Sequence, residues 1–251
     1  MTSSPYDEVP YQSVPFSQSQ PNRLATIGAL FGLPNSVSHS FRLLELGCAS
    51  GGNILPLAAQ WPQAEFVGLE LSRHQVEGAH EAIKHTGLKN IQVLQKDLLN
   101  ANEELGRFDF IVAHGVYSWV PEPVREKMLA ICQDLLTEQG IAYISYNTFP
   151  GWHMRGMIRD VMCYRARFFE KPADRLHEAR ELVNFLASSV NKEGNAYGIL
   201  LNDELRLLQR KEDYYLLHEF LEEVNEPCYF HESWSGQTPT GCSIWVRPTS
   251  A

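Results

Sequence analysis

The sequence predicts an α/β fold, a parallel β-sheet with helices on both faces, continued by a helical addition. Three observations carry that expectation. Between residues 41 and 150, strand signals alternate with helix signals, the order that joins parallel strands through crossover helices. The strands are short, nearly continuous apolar runs, as expected where both faces of a sheet are covered. After Pro150 the strand signals stop and only helical patterns follow. A chain of 251 residues has room for one full domain of this kind plus a modest extension.

Residues 1–22 are rich in Pro, Ser, Gln and Tyr. Pro5, Pro10, Pro15 and Pro21 block helix, which predicts an extended arm. Tyr6, Tyr11 and Phe16 make that arm more aromatic than a free tail usually is. A short helix over residues 23–31 ends at Gly32 and Pro34. Residues 41–46 form an apolar strand closed by Gly47, residues 52–60 a helix stopped by Pro62, and residues 65–69 a second strand. Residues 72–86 read as a helix opened by a capping box, Ser72 with Gln75, and closed by Gly87. Residues 91–95 and 108–113 are the third and fourth strands. Residues 122–136 form a helix with Val124, Met128, Ile131 and Leu135 on one face; Gly140 follows, and residues 141–146 are the fifth strand. Helices are then expected over 153–169, 173–190, 199–210 and 214–223, the second with Leu176, Ala179, Val183, Leu186 and Val190 as its apolar stripe. The expected division is an arm and short helix (1–40), a sheet domain (41–150), a helical addition (151–232) and a tail (233–251).

Composition narrows the function. Asp and Glu number 30 against 21 Lys and Arg, a formal charge of −9, which disfavours electrostatic capture of nucleic acid or anionic lipid. No segment approaches the roughly 20 apolar residues of a membrane span. The N-terminus lacks the basic start and apolar run of a signal peptide. Cys48, Cys132, Cys163, Cys228 and Cys242 are scattered without a CxxC pair, which suits a reduced, cytoplasmic protein. Metal chemistry is not expected: His177-Glu178, His218-Glu219 and His231-Glu232 each lack the second His of an HExxH motif.

The chemistry concentrates at strand ends. Leu43-Leu44-Glu45-Leu46-Gly47-Cys48-Ala49-Ser50-Gly51-Gly52-Asn53 closes the first strand and opens a helix. Small residues there let a ligand approach the backbone, and the helix N-terminus offers N–H groups. The spacing is neither GxGxxG nor a phosphate-binding GxxxxGK[ST] loop, and Ser50 is not at the centre of GxSxG. Glu70 ends the second strand about 20 residues after the glycines, where an acid can take two ribose hydroxyls. Asp97 follows the third strand. Three acids at successive strand ends fall in one crevice at the carboxyl edge of the sheet.

The first-strand stretch resembles motif I of class I S-adenosylmethionine-dependent methyltransferases, with Ala49 standing where the pattern has its middle glycine. Two further stretches narrow the resemblance: residues 108–121, running from Phe108 through His114-Gly115-Val116-Tyr117-Ser118-Trp119, and residues 145–156, with Tyr146-Asn147 and Trp152. With the arm around Val9-Pro10-Tyr11 and Pro15-Phe16, they are similar to bacterial methyltransferases carrying a "methyltransferase regulatory domain". That group includes rickettsial protein-lysine methyltransferases acting on outer-membrane proteins. The resemblance implies a Rossmann-like fold and S-adenosylmethionine as cofactor. Gly47, Cys48, Ala49, Ser50 and Gly51 would hold its methionine part, Glu70 its ribose and Asp97 its adenine, with Glu45, Asn53, Leu71 and Leu98 also binding the cofactor. His114 and Gly115 would contact the cofactor, His114 otherwise serving as a base or orienting its loop. Tyr117, Trp119, Tyr146 and Trp152 are candidates for an aromatic wall that steadies a sulfonium or methylammonium. Asn147 would accept a hydrogen bond from an amine or cap a turn. The expected acceptor is a protein lysine, an outer-membrane protein included; the alternatives are a small-molecule acceptor and an inactive cofactor-binding remnant.

The resemblance stops at Ser233. The tail lacks a helical stripe where the family has a helix and then a strand. One codon set allowed for the tail, read from its third nucleotide, encodes an amphipathic helix, a glycine stop and an apolar strand. The expectation is a reading frame interrupted by a frameshift, with the sheet cut short. The alternative is a divergent tail in which residues 242–246 form an edge strand.

Overall fold

The computed structural model describes residues 11–33 and 40–231, and the backbone of residues 244–248. Residues 1–10, with the arm's Tyr6, and most of the tail lie outside the described residues. The strands are β1 (Arg42–Leu46), β2 (Glu65–Glu70), β3 (Ile91–Gln95), β4 (Phe108–Ala113), β5 (Leu136–Tyr146) and β6 (Ile244–Pro248). They form one sheet in the order β3-β2-β1-β4-β5-β6, every pair parallel. The helices are α1 (Pro21–Leu30), α2 (Ile54–Gln60), α3 (Arg73–Thr86), α4 (Glu122–Leu135), α5 (Trp152–Ala166), α6 (Pro172–Ser189), α7 (Ala196–Arg210) and α8 (Asp213–Phe220). This is the expected Rossmann-like sheet with a helical addition after the fifth strand.

The chain divides into two units. One runs through Asn147 and takes in Phe230 and β6; the other is Thr148–Tyr229. In the first, alternation along each strand sorts side chains between two apolar layers. Leu43, Phe66, Val93, Phe110 and Ile141 pack with Leu24, Leu57 and Val76 of α1–α3. Leu44, Leu46, Leu69, Ile111 and Ile144 pack with Met128, Ile131 and Leu135 of α4. Glu45 follows Leu43 in the alternation, so its carboxylate enters the first layer rather than solvent. In the second unit, Ile158, Met162, Leu176, Val183, Leu201 and Phe220 form a core of their own. There the Arg155 guanidinium lies 3.4 Å from Glu219 and 3.8 Å from Glu204.

Several elements differ from expectation for identifiable reasons. Pro21 does not block a helix but opens α1, where a missing N–H costs nothing. The helix expected from Gly52 begins at Ile54. Strand β5 begins at Leu136, five residues early: Leu136 pairs with Phe108, and the ladder resumes at Ile141 opposite Phe110 after an irregularity. Ser72 does cap α3, accepting from the Gln75 N–H at 3.2 Å. The Gln75 side chain makes no reciprocal bond to complete the box and instead donates to the Tyr11 carbonyl at 2.9 Å. In the tail, an edge strand pairs in parallel with β5, Ala142 opposite Ile244 through Tyr146 opposite Pro248; it runs over 244–248 where the edge-strand alternative has 242–246, residues 242 and 243 lying outside the described residues. No helix among the described residues is long and apolar enough to cross a membrane.

Candidate functional site

The strand order reverses direction between β1 and β4, so the loops after these strands flank the crevice where open α/β sheets hold ligands. On the β1 side, Gly47, Ala49 and Gly51 all have positive φ, 69°, 46° and 83°. A Cβ on Gly47 would come within 2.6 Å of Val116 from the post-β4 loop, so only glycine lets the two loops close on each other. Ala49 is the one described non-glycine residue in the left-handed region, a strain of about 1–2 kcal/mol. Ala49→Gly should therefore stabilise the fold by roughly 0.5–1 kcal/mol, after the greater freedom of glycine in the unfolded chain is subtracted. A rise in the denaturant midpoint at unchanged slope is the expected reading.

The loop is anchored from within. The N–H groups of Gly47 and Cys48 donate to the Leu69 carbonyl, and that of Gly51 to Cys48. The Ala49 N–H donates to Glu70 Oε2 at 2.9 Å. These four donors are spent on the fold, so the loop offers a ligand a shaped surface here rather than the open N–H groups expected. Glu70 Oε1 accepts from the N–H groups of Leu71 and Ser72 at 2.8 and 2.9 Å. Glu70 thus joins the β1 loop to the end of β2. Leu71 beside it is 56 % exposed. Asp97 caps the turn Leu98–Asn100, accepting from the Leu99 N–H at 2.9 Å. Cys48 is buried against Gly68, where a Cβ would meet its sulfur at 2.6 Å.

Glu45 is buried, and burial pushes its carboxyl up to about 8 against the bond it receives from Asn53. The Asn53 amide donates to Oε1 at 2.9 Å, while Oε2 is buried with no hydrogen-bond partner. Asn53, itself buried, turns its Oδ1 toward the arm, where the Phe16 N–H donates at 2.9 Å. The Ser19 hydroxyl lies 3.1 Å from the same oxygen and 2.9 Å from the Phe16 carbonyl.

On the β4 side, the His114 ring stacks on Phe16 with centroids 3.6 Å apart, and its Nδ1 pairs with the Tyr143 hydroxyl at 2.9 Å. Burial lowers its pKa to about 4, so the imidazole is neutral at pH 7 and a weak base. The Gly115 N–H donates to Ser145 Oγ at 2.7 Å, and the Asn147 N–H to Ser118 Oγ at 2.8 Å. These serines fix the post-β4 loop to the end of β5. Tyr117 and Trp119 lie in one turn of that loop, and the Tyr117 ring is 6.0 Å from Tyr146. Tyr146 and Asn147 are buried, and Asn147 Nδ2 has no hydrogen-bond partner. Trp152 opens α5 in the second unit, with the Arg155 guanidinium 5.6 Å over its ring.

Sequence reasoning missed Phe16, Ser19, Ser118, Ser145 and Tyr143 as parts of this constellation. Ser118 and Ser145 carried a faint signal, small hydroxyls inside aromatic and apolar runs. The arm's contacts with Asn53 are 34 to 37 residues apart in the chain and leave no local pattern.

Residues 43–140 match a family model described as a methyltransferase domain. An uncharacterized protein of Rickettsia prowazekii is 43% identical over 229 residues, 91% of this chain and 41% of that protein. A second uncharacterized protein of that organism is 39% identical over 90% of this chain and 91% of its own length. Among solved structures, PKMT2 from Rickettsia typhi in complex with AdoHcy matches with a TM-score of 0.80 and 38% identity, over 89% of this chain and 43% of that one. The chain thus spans less than half the length of PKMT2 and of the first of these relatives, and nearly all of the second.

Proposed function

The chain belongs to the class I S-adenosylmethionine-dependent methyltransferases, and from that premise we propose that it methylates a protein side chain, a lysine amine. The observation that carries the acceptor is the likeness to PKMT2, whose abbreviation reads as protein lysine methyltransferase. That likeness covers 89% of the chain, well beyond the residues of the methyltransferase domain. The proposal places the chain in the regulatory-domain group that its aromatic loops resemble.

The site's own chemistry fits the cofactor. A cationic ligand suits a buried carboxylate with one oxygen unpartnered, which Glu45 supplies. A close backbone surface suits a bulky ligand, which the loop from Gly47 through Cys48, Ala49 and Ser50 to Gly51 supplies. Glu70, its carboxylate oriented by three backbone donors, is assigned the ribose, with Leu71 as the apolar floor. Asp97 and Leu98 are assigned the adenine. When bound, the cofactor supplies a methyl group on a sulfonium, and transfer leaves a neutral thioether.

The protein's task is then to align a neutral amine and exclude water. Tyr117, Trp119 and Tyr146 form the proposed aromatic wall. Asn147 is assigned to orient the amine, its Oδ1 accepting an amine N–H so that the nitrogen lone pair stays free to face the methyl group. His114, neutral and tied to Tyr143, orients its loop and is not assigned as a base. Asn147→Ala should lower kcat about a hundredfold through misalignment, with little change in cofactor affinity. Steady-state kinetics at saturating cofactor checks this.

The function is tested by incubating the protein with methyl-labelled S-adenosylmethionine and a cell extract, then separating labelled protein from labelled small molecules. Label on lysine residues of protein supports the reading. Label confined to small molecules moves the acceptor to that class, and neither label nor cofactor binding overturns the activity.

A further inference from the structure

The arm residues 11–20 cross the switch point itself. The backbone N–H of Phe16 is held by Asn53, after β1, and its ring lies on His114, after β4. On the α3 side, the Tyr11 carbonyl accepts from Gln75 at 2.9 Å. Beneath the arm, a Cβ on Gly52 would overlap the Ser13 carbonyl, so the glycine after the motif loop makes room for the arm itself. Asn53 is the hinge of these contacts. Its amide can turn only one way: the Phe16 N–H can only donate, which fixes Oδ1 toward the arm and leaves Nδ2 to donate to Glu45.

We propose that Asn53 is a positioning residue that seats the arm across the crevice, so that the arm and the cofactor bind cooperatively. The inference rests on the cofactor reading above. The arm completes the crevice rather than filling it: with the arm seated, Leu71 is 56 % exposed and Leu99 47 %, leaving the β2–β3 side open to solvent. Charge on Glu45, held by a cationic ligand, strengthens the bond from Asn53 Nδ2 and polarises Oδ1 toward the Phe16 N–H. Seating of the arm and occupation of the crevice therefore favour each other, as linkage requires.

The test uses the whole chain and S-adenosylhomocysteine as the probe, with amide hydrogen exchange of residues 11–20 and calorimetric affinity as the two readouts. In the wild type, the ligand should slow exchange at Phe16 about tenfold or more. Asn53→Ala should raise Phe16 exchange in the ligand-free protein, abolish the ligand-dependent slowing and weaken binding about tenfold. Gly52→Val unseats the arm from below with Asn53 and Glu45 intact, and should weaken binding similarly. Ser19→Ala, altering only the arm side, should give a smaller shift in the same direction. Arm exchange that ignores the ligand in a protein that binds it, or Gly52→Val binding as tightly as the wild type, overturns the coupling. If the wild type binds no S-adenosylhomocysteine, the cofactor reading and the cooperativity fall together. Ligand-free exchange in Asn53→Ala still judges the tether: a Phe16 N–H no less protected than in the wild type overturns it.

Discussion

Glu70→Gln should raise the Kd for S-adenosylmethionine by about a hundredfold, through the loss of the charge-assisted bonds to two ribose hydroxyls proposed for it. The same change strikes the loop. The carboxylate accepts from three backbone donors, Ala49 on one oxygen and Leu71 and Ser72 on the other. An amide has a single oxygen, so its NH2 must face at least one of those N–H groups. The site is half-buried, so the stability cost is set at about 1–2 kcal/mol, or a few degrees in Tm. Calorimetry separates the two effects: affinity is measured well below the variant's own unfolding midpoint. Glu70→Asp keeps the charge but withdraws it by one methylene and should fall between. Wild-type affinity in a folded Glu70→Gln protein would remove Glu70 from the cofactor site and leave it only its role as a loop anchor.

The sheet was legible because its strands are apolar runs punctuated by Gly47, Gly87 and the helical stripe of α4. These local patterns answer to the same burial that the structure displays. The loop after β1 was legible for a related reason: small residues at a strand end have few other uses. What was not legible depended on partners far along the chain. Gln75 looked like half of a capping box because its spacing from Ser72 fits one, but the Tyr11 carbonyl, 64 residues away, takes its amide. Leu136 looked like the end of a helix, and pairing with Phe108 draws it into β5 instead. Pro21 was weighed as a helix blocker when the same fixed φ suits the first turn of α1. Asn53 was named as part of the motif, but its connection to Phe16 could not be read from either segment alone.

Stability and cofactor affinity should depend on pH in opposite directions, and Glu45 should be the reason for both. Its carboxyl titrates near 8 in the folded protein against 4.5 when unperturbed, chiefly because burial disfavours the charged form. Between those values the folded protein retains a proton that the unfolded chain has released. Glu45 therefore lowers the stability of the ligand-free protein as pH rises from about 4.5 to 8, by up to about tenfold in the folding constant per pH unit; His114, titrating near 4 against 6.5 when unperturbed, raises it over the lower part of that range, so the net fall is expected between about 6.5 and 8. A cationic ligand beside Oε2 calls for the ionised form, so binding below pH 8 must expel that proton. Cofactor affinity should accordingly rise with pH by up to about tenfold per unit and flatten near pH 8. At pH 7, calorimetry in buffers of different ionisation enthalpy should detect close to one proton released per cofactor bound. Glu45→Gln keeps the shape and an oxygen for Asn53 to bond but carries no charge at any pH. It should flatten the stability profile between about pH 6.5 and 8, abolish the proton release and weaken binding most at pH 8, where the wild type binds best. Equal pH slopes in wild type and Glu45→Gln would place the titrating group elsewhere and leave Oε2 without the cationic partner assigned to it.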